Sequence, residues 1–363
     1  MLLIRNCGHG VALAKHVRRY RAMKSAVNNT AILHASESSA IRPEGSSRMT
    51  RLRAASFSSM VTKSIDVGAT WEQLQTEARA VLSERDGRGS RFGLKEFVED
   101  RILSRASFED SLSATMHAEL SQVSNLDYHA MTSEILSDDG DSILESVAAD
   151  LDRFLVMDPA AEEGGMLKIY LFFKGFHAVQ CARVAHRYWN AGDKWIASAL
   201  QSDMSNKFGV DIHPASQWGK GITMDHGTSV VVGETAVIGD NVYLMHDVTL
   251  GATGNSDDYN RHPKIGRGVF LACKSTILGN ITIGDGAVVG AQSLVNRDVP
   301  PGYTAVGTPS RLIAPKVDEA SKVKVAPSGQ YFPCGMFKYF CCDRTTTDKQ
   351  SSNHQTTVAP ELQ

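Results

Sequence analysis

The 363-residue chain has no long hydrophobic run, no zinc-type pairing of its cysteines and no large excess of either charge. Since a membrane-spanning helix needs roughly 18 or more apolar residues in a row, we expect none. The six cysteines show neither zinc-type pairing nor a secretory context, so we predict free thiols. Lys and Arg total 38 against 40 Asp and Glu, a net charge of −2, which argues neither for nor against a polyanionic partner.

Acidic residues are scarce at the N-terminus. Residues 1–60 contain ten Lys and Arg but only Glu37 and Glu44, so the remainder carries 28 basic and 38 acidic residues, a net of −10. An Arg- and Ser-rich, acid-poor leader is typical of an organelle transit peptide. Apolar positions from Leu2 to Val17 line one side of a basic helix, which favours the mitochondrion over the plastid. The alternative is a disordered basic tail on a cytosolic protein.

An aliphatic or large apolar residue recurs every six positions across residues 212–295, with two interruptions. These anchors are Ile212, Trp218, Met224, Val232, Ile238, Leu244, Leu250, Ile265, Leu271, Ile277, Ile283, Val289 and Val295. A period of six matches neither a helix nor a simple strand. It indicates the hexapeptide repeat of a parallel β-helix, whose stacked coils bury one continuous apolar column. An ordinary β-sandwich would place so many anchors in phase only by chance.

Apolar residues at helical spacing precede the repeats, and residues 66–206 are predicted to form an α-helical domain. Asp158 followed by Pro159 marks a new segment, because Asp caps helices well and Pro suits the first helical position. One long helix over 167–190 is expected to pack its aromatic residues in the core. A last helix over 195–206 leads into the repeats.

The repeats end where the composition changes. We assign residues 207–315 to the β-helix domain, since Pro- and Gly-rich punctuation follows the last anchor. Residues 316–363 are polar apart from an aromatic patch over 331–340, and they lack the apolar content to fold alone. A disordered C-terminal tail is therefore predicted, with the aromatic patch packed on the β-helix or bound to a partner.

Chemistry is expected where the regular repeat is interrupted. The first interruption contains Asp225 and His226, and His226 follows Asp211 by fifteen residues. Because a coil of three hexads takes about 18 residues, Asp211 and His226 fall within one coil. A hydrogen bond between them would fix the imidazole tautomer and steady its protonated form. The second interruption is a long loop carrying Arg261 and His262, and such loops are more often functional than idle. A surface or capping histidine is the alternative reading of His226.

Several motifs resemble the serine O-acetyltransferase family. They are Asp211-Ile212-His213-Pro214, Met224-Asp225-His226-Gly227-Thr228, Gly233-Glu234-Thr235-Ala236, Arg261-His262-Pro263-Lys264 and Gly307-Thr308-Pro309-Ser310-Arg311, with Asp158-Pro159-Ala160 and Lys174-Gly175-Phe176-His177-Ala178 upstream. The likeness covers roughly residues 70–315. It implies an α+β fold, an N-terminal α-helical domain followed by a left-handed parallel β-helix. It also implies a homotrimer, usually paired into a dimer of trimers.

The resemblance implies transfer of an acetyl group from acetyl-CoA to the hydroxyl of L-serine, a step toward cysteine that needs no metal. A serine hydroxyl is too weak an acid to attack a thioester unaided, so a positioned base is required. The matching positions make His226 that base and Asp211 its orienting acid. The positions that match the serine-binding residues are Asp158, Asp225, Arg261 and His262. Those that match the acetyl-CoA groove are Gly251, Ala252, Thr253, Gly254, Cys273, Ala291 and Arg311.

This chain departs from the family pattern in three places. Met157 stands where members commonly carry Arg, and Asn255 stands where the loop usually has Lys, which is expected to weaken CoA phosphate binding. Many relatives end in an isoleucine that inserts into O-acetylserine sulfhydrylase, whereas the residues here are Leu362 and Gln363. That difference argues against a complex with the sulfhydrylase.

Three alternative functions remain open from the sequence. Another hexapeptide acetyltransferase would act on a sugar or xenobiotic hydroxyl, although such enzymes usually lack the helical domain. A β-helical zinc lyase would need converging histidines, with His213, His226, His246 and His262 as candidates. A scaffold with a degenerate site is the third alternative, and the intact candidate residues argue against it.

Overall fold

The computed structural model describes residues 65–83, 91–161, 164–254 and 258–315. The predicted transit peptide and C-terminal tail lie outside these ranges. Within them, no helix combines the length and the apolarity needed to cross a membrane.

The first part of the described chain is helical. Its α-helices are Val67–Leu82 (α1), Leu94–Val98 (α2), Phe108–Leu120 (α3), Tyr128–Met157 (α4), Gly165–Phe172 (α5), Lys174–Ala191 (α6) and Lys194–Phe208 (α7). A π-helical turn, Glu99–Leu103, continues α2, and a 3₁₀ turn, Pro159–Ala161, follows α4. Side-chain caps begin α1, α3 and α4, where Asp66, Ser107 and Asp127 each accept a backbone N–H from three residues on.

The single helix expected over 167–190 is wrong, because two helices meet at Phe173. Its backbone is extended there (φ −89°, ψ 101°), between the end of α5 and the start of α6. The Phe173 ring packs edge-on against Phe154 of α4, with centroids 5.8 Å apart. No breaker residue marks this position, so tertiary packing overrides a helical sequence. The last helix, α7, begins one residue before the predicted start and runs to Phe208.

Short strands follow, each of two or three residues. They are β1 Asp211–Ile212, β2 Gln217–Trp218, β3 Thr223–Met224, β4 Val231–Val232, β5 Val237–Ile238, β6 Tyr243–Leu244, β7 Thr249–Gly251, β8 Lys264–Ile265, β9 Phe270–Leu271, β10 Thr276–Leu278, β11 Thr282–Ile283, β12 Val288–Val289, β13 Leu294–Val295, β14 Thr304–Val306 and β15 Arg311–Ile313. Strands three apart pair in parallel, giving sheets β1-β4-β7-β10-β13, β2-β5-β8-β11 and β3-β6-β9-β12, and the third sheet continues from β12 to β14. Antiparallel β15 pairs with β14 at the end of the third sheet.

The register of the strands confirms the six-residue repeat. Anchors pair with the anchors of adjacent coils, as Ile212 with Val232 and Met224 with Leu244 show. All anchors but the half-buried Trp218 lie in the core. The chain therefore folds as predicted, with an N-terminal α-helical domain followed by a left-handed parallel β-helix.

A buried ion pair joins the helices to the first coil. Asp150 of α4 and Arg183 of α6 are hydrogen-bonded to each other, and both are buried. Asp150 Oδ1 also accepts the backbone N–H of Ile222 at 2.7 Å, and Arg183 Nη2 donates to the carbonyl oxygen of Gly219 at 2.7 Å. Charges removed from water are tolerated when such bonds satisfy them. The pair thus fixes the helices against the turn that leads into β3.

Candidate active site

One edge of the β-helix collects residues that stand two positions after an anchor. These are His226, His246, Cys273 and Ala291, called here the histidine corner. Their anchors pair coil by coil, so the four residues stack along the edge at steps of about 4.8 Å. The rings of His226 and His246 meet at 67° with centroids 5.5 Å apart. The predicted base and two of the predicted acetyl-CoA residues therefore share one edge.

His226 is held in an unusual backbone conformation and presents its ring to solvent. Its φ is +60°, a left-handed value that costs energy for a residue with a Cβ. The side chain is 66% exposed, and Nε2 lies 3.5 Å from Asp225 Oδ1. The other carboxylate oxygen of Asp225 accepts the hydroxyl of Tyr243 at 2.9 Å. Burial raises the pKa of the Tyr243 hydroxyl, and the charge of Asp225 raises it further, so the phenol remains a donor.

Asp158 places a second carboxylate beside this corner. It ends α4 and is 9% exposed, and its Oδ1 accepts the backbone N–H of Ala160 at 2.8 Å. Burial raises the pKa of Asp158; the Ala160 bond and His226 lower it, while the charge of Asp225 raises it further. Two neighbouring carboxylates that repel each other form a favourable site for an ammonium group.

A second edge, called here the arginine corner, contains Glu234, Thr235, Arg261 and His262. Arg261 Nη2 donates to Glu234 Oε2 at 2.9 Å. Thr235 Oγ1 accepts the backbone N–H groups of Arg261 and His262, both at 3.1 Å. These bonds hold the end of the long loop against the β4–β5 turn.

His262 is positioned as a neutral donor. Its Nδ1 accepts the backbone N–H of Thr235 at 3.1 Å, so the neutral ring carries its proton on Nε2. Burial lowers the pKa of His262, and the charge of Arg261 lowers it further. The ring lies so close to Gly233 that a Cβ there would be 2.0 Å from its Cδ2. A guanidinium beside an N–H donor suits a carboxylate ligand.

Asp211 is not placed as expected. Asp211 and His226, both in the described part of the chain, share no hydrogen bond. Instead Asp211 Oδ1 accepts from Gln201 Nε2 of α7 at 2.8 Å, at an open cavity of about 280 Å³ lined by polar residues of α7. The segments carrying Asp211 and His226 do adjoin, since Ser229 N–H donates to the Gly209 carbonyl at 2.6 Å.

The predicted acetyl-CoA positions divide between the two edges. Gly251 ends β7 and leads through Ala252, Thr253 and Gly254 into the long loop near the arginine corner, whereas Cys273 and Ala291 lie at the histidine corner. Arg311 begins β15 opposite Val306. Asn255, where the family has lysine, lies outside the described residues.

The two corners belong to separate electrostatic neighbourhoods. The pKa of Asp158 responds to Asp225 and His226, whereas that of His262 responds to Arg261 and Glu234. The sheet that contains β1, β4 and β7 separates the corners. Within the described residues, the candidate side chains therefore form two separate groups on one chain.

Sequence reasoning undervalued His246 and missed Tyr243. The sequence indicates His246 only as a candidate zinc ligand, yet it follows His226 by one coil, as Leu244 follows Met224. That spacing was readable from the repeat. The four candidate zinc histidines are split between the corners, and the described residues contain no group of three or more His, Cys, Asp and Glu suited to a metal ion.

The fold and the two corners define a hexapeptide-repeat transferase with a helical N-terminal domain. The family model for the N-terminal region of serine acetyltransferase matches residues 70–181, and the bacterial transferase hexapeptide model matches residues 262–297. Serine acetyltransferase from Buchnera aphidicola is 39% identical over 223 residues, which span 61% of this chain and 80% of that protein. The chain therefore belongs to the serine acetyltransferase family.

Further relatives support this membership. Arabidopsis thaliana serine acetyltransferase 2 is 52% identical over 171 residues, 47% of this chain and about half (52%) of the Arabidopsis protein. A soybean serine acetyltransferase complexed with serine superposes with a TM-score of 0.63 at 44% identity, covering 68% of this chain and 99% of the soybean chain. A serine acetyltransferase in complex with CoA superposes with a TM-score of 0.61 at 34% identity, covering 68% and 99%.

Proposed function

We propose that this protein transfers the acetyl group of acetyl-CoA to the hydroxyl of L-serine, with His226 as the general base. The observation that carries the proposal is the histidine corner. There the exposed imidazole of His226 lies beside the carboxylates of Asp158 and Asp225. The predicted acetyl-CoA positions Cys273 and Ala291 follow it along the same edge of the β-helix. Solved relatives are complexed with serine and with CoA, which supports both substrates. The product, O-acetyl-L-serine, lies on the route from serine to cysteine.

The proposed reaction is a direct transfer within a ternary complex. His226 takes the proton of the serine hydroxyl as its oxygen attacks the thioester carbonyl carbon. The tetrahedral intermediate collapses, the bond from carbon to sulfur breaks, and the imidazolium returns the proton to the departing CoA thiolate. Proton transfer by a positioned side chain accelerates such steps by about 10²- to 10⁴-fold. In this mechanism Asp211 exchanges its hydrogen bond from Gln201 for one from the His226 ring, and its charge then stabilises the imidazolium.

Serine recognition requires both corners. The carboxylates of Asp158 and Asp225 suit the α-ammonium group, while Arg261 and the Nε2–H of His262 suit the α-carboxylate. Because one protomer keeps these groups on different edges, we propose that the histidine corner of one copy faces the arginine corner of the next. Three copies related by threefold symmetry complete three identical sites in this way. A homotrimer, paired further through its helical domains, is the assembly we expect.

Acetyl-CoA is proposed to lie along the groove that starts at His226. Cys273 and Ala291 line one wall, and the backbone from Gly251 to Gly254 contributes the other from the neighbouring copy. Arg311, which begins β15, is proposed to bind the anionic end of the cofactor. This arrangement brings the thioester to the base and leaves the nucleotide along the stacked coils.

The test is CoA release from acetyl-CoA by protein lacking residues 1–60, measured with and without L-serine. Serine-dependent release is the expected result. In the same assay, His226→Ala should lower kcat by about 10²- to 10⁴-fold, and Asp211→Asn should lower it less. Release that depends on sugars but not on serine would keep the fold and overturn the substrate. Unchanged turnover in His226→Ala would overturn the mechanism.

Import into an organelle is proposed for the acid-poor leader, residues 1–60. Relatives in Arabidopsis thaliana include a mitochondrial serine acetyltransferase 3, 39% identical, and a chloroplastic serine acetyltransferase 1, 43% identical. Mitochondrial import is the destination we favour, on the basic and apolar pattern of the leader. A fluorescent fusion of residues 1–60 tests it, and a plastid or cytosolic signal would overturn the choice.

A further inference from the structure

Lys174 reaches both segments that carry the proposed catalytic pair. It is the first residue of α6, and its Nζ donates to Thr228 Oγ1 at 2.5 Å and to the carbonyl oxygen of Phe208 at 3.3 Å. Thr228 stands two residues after His226, and Phe208 stands three residues before Asp211. One ammonium group thus ties the loop of the base to the end of α7.

The first turn of α6 fits against that loop without room for side chains. A Cβ at Gly175 would lie 2.0 Å from the carbonyl oxygen of Met224, and a Cβ at Gly227 would lie 3.1 Å from Gly175 Cα. Backbone therefore meets backbone on both sides of His226. Any shift of the start of α6 moves residues 225–228, called here the histidine loop, with it, because close-packed groups transmit displacement.

His226 needs such external support. Its side chain is largely exposed, its backbone is left-handed, and among the described residues its ring meets His246 edge-on and approaches Asp225 at 3.5 Å. The loop that carries it is fixed instead by the Lys174 bond and by backbone bonds such as Asp247 N–H to the Thr228 carbonyl, at 2.8 Å. The lysine is the one charged group in this set, and charged donors form stronger hydrogen bonds than neutral ones.

We propose that Lys174 is a positioning residue that sets the placement of His226 relative to Asp211. The inference rests on the proposed function, since it takes those two residues as base and orienting acid. Lys174 itself touches neither substrate; it acts through Thr228 and the end of α7. A lysine that merely capped the last carbonyls of α7 would affect folding stability and leave turnover alone.

The experiment compares Lys174→Met, which keeps the length and removes the donors, with Lys174→Arg, which restores them. We expect Lys174→Met to lower kcat by about 10- to 100-fold, because a misplacement near 1 Å has such an effect. The KM values for serine and acetyl-CoA should stay within about twofold of the wild-type values, since the variant removes no contact with either substrate. Lys174→Arg should recover most of the lost kcat.

Two further variants sharpen the result. Thr228→Val removes the acceptor near His226 and leaves the Phe208 bond, so it should reproduce most of the Lys174→Met loss, and the double variant should be no worse than Lys174→Met. It also serves if Lys174→Met fails to fold. Lys207→Met is the matched control, because Lys207 lies in the last turn of α7 and bonds to Gln122 and Glu119. It should keep wild-type kcat.

The outcomes separate this inference from the proposed function. Serine-dependent release that His226→Ala abolishes, with wild-type kcat in both Lys174→Met and Thr228→Val, overturns the positioning role alone. A raised KM for acetyl-CoA with unchanged kcat also overturns it, since Lys174 would then bind a ligand. Wild-type protein that shows no serine-dependent release overturns the proposed function and this inference together.

Discussion

At the scale of single residues, the site depends on carboxylates in two different settings. Asp158 is buried at the end of α4, and its pKa is raised by burial and by the charge of Asp225. Asp211 is exposed and bonded to Gln201. The ionisation of Asp158 therefore depends on the fold. Serine binding should weaken as the pH falls toward the raised pKa of Asp158, because the neutral acid no longer attracts an ammonium.

Asp158→Asn is expected to separate substrate binding from stability. Its amide oxygen can still accept the Ala160 N–H, but without the charge the KM for serine should rise by about 10- to 100-fold, with the KM for acetyl-CoA unchanged. A folded-state pKa raised above the unfolded value of 3.8 stabilises the fold at low pH. That contribution is lost as the pH rises through the folded pKa.

At neutral pH the wild type consequently carries a buried charge that the asparagine variant does not. Thermal unfolding at pH 7 should give a Tm for Asp158→Asn equal to or above that of wild type. Steady-state kinetics with serine and acetyl-CoA measures the predicted change in the KM for serine. A lower Tm with an unchanged KM for serine would show that Asp158 is a structural cap only.

At the scale of elements, the helices hold the first coil through the pair of Asp150 and Arg183. Its bonds to Ile222 and Gly219 fix the turn that precedes β3. The histidine loop follows β3 directly, so α4 and α6 align the site as well as support the fold. Neither helix contributes His226, yet both determine where it lies.

Asp150→Ala should be strongly destabilising, because it leaves the Arg183 charge buried without its partner. Removing one member of a buried pair typically costs about 3–5 kcal/mol. The control is Arg267→Ala, which breaks the exposed pair with Asp285 but keeps the backbone N–H bond to that carboxylate, and it should cost no more than about 1 kcal/mol. Denaturant unfolding monitored by circular dichroism measures both. Equal, small losses would contradict the role given to the buried pair.

At the scale of the whole molecule, the proposed serine site needs more than one copy, because its two corners lie on different edges of the β-helix. Asp158, Asp225 and His226 form one electrostatic group, and Arg261 and His262 belong to another. A closed threefold ring would repeat the same contact between the two corners at each of its interfaces. The proposed site is thus a property of the assembly.

Coexpression of His226→Ala and Arg261→Ala subunits tests this sharing. Each variant alone should be nearly inactive, since every site lacks one residue. Random mixing leaves both residues intact at about one quarter of the interfaces, so the mixture should recover roughly that share of wild-type kcat. Sedimentation at the same concentration checks the trimer. A mixture as inactive as its parents would show that each protomer holds a complete site.

The spacing of apolar residues in the sequence predicted much of this architecture, but not all of it. The six-residue period predicted the anchors and their coil, because an anchor shifted by one residue would turn its apolar side chain to solvent. The motifs around His226 and Arg261 indicated the family. The same repeat also predicts that His246 lies next to His226, because each stands two residues after its anchor.

The sequence by itself determined the β-helix, the helical domain before it and the identity of the candidate residues, because periodicity and side-chain chemistry are local properties. Only the tertiary structure decided that α5 and α6 break at Phe173, that Asp211 bonds to Gln201, and that the candidate residues divide between two corners. These outcomes depend on which surfaces meet. A contact between distant segments depends on packing and on the need to pair buried polar groups. The spacing of a repeat predicts neither.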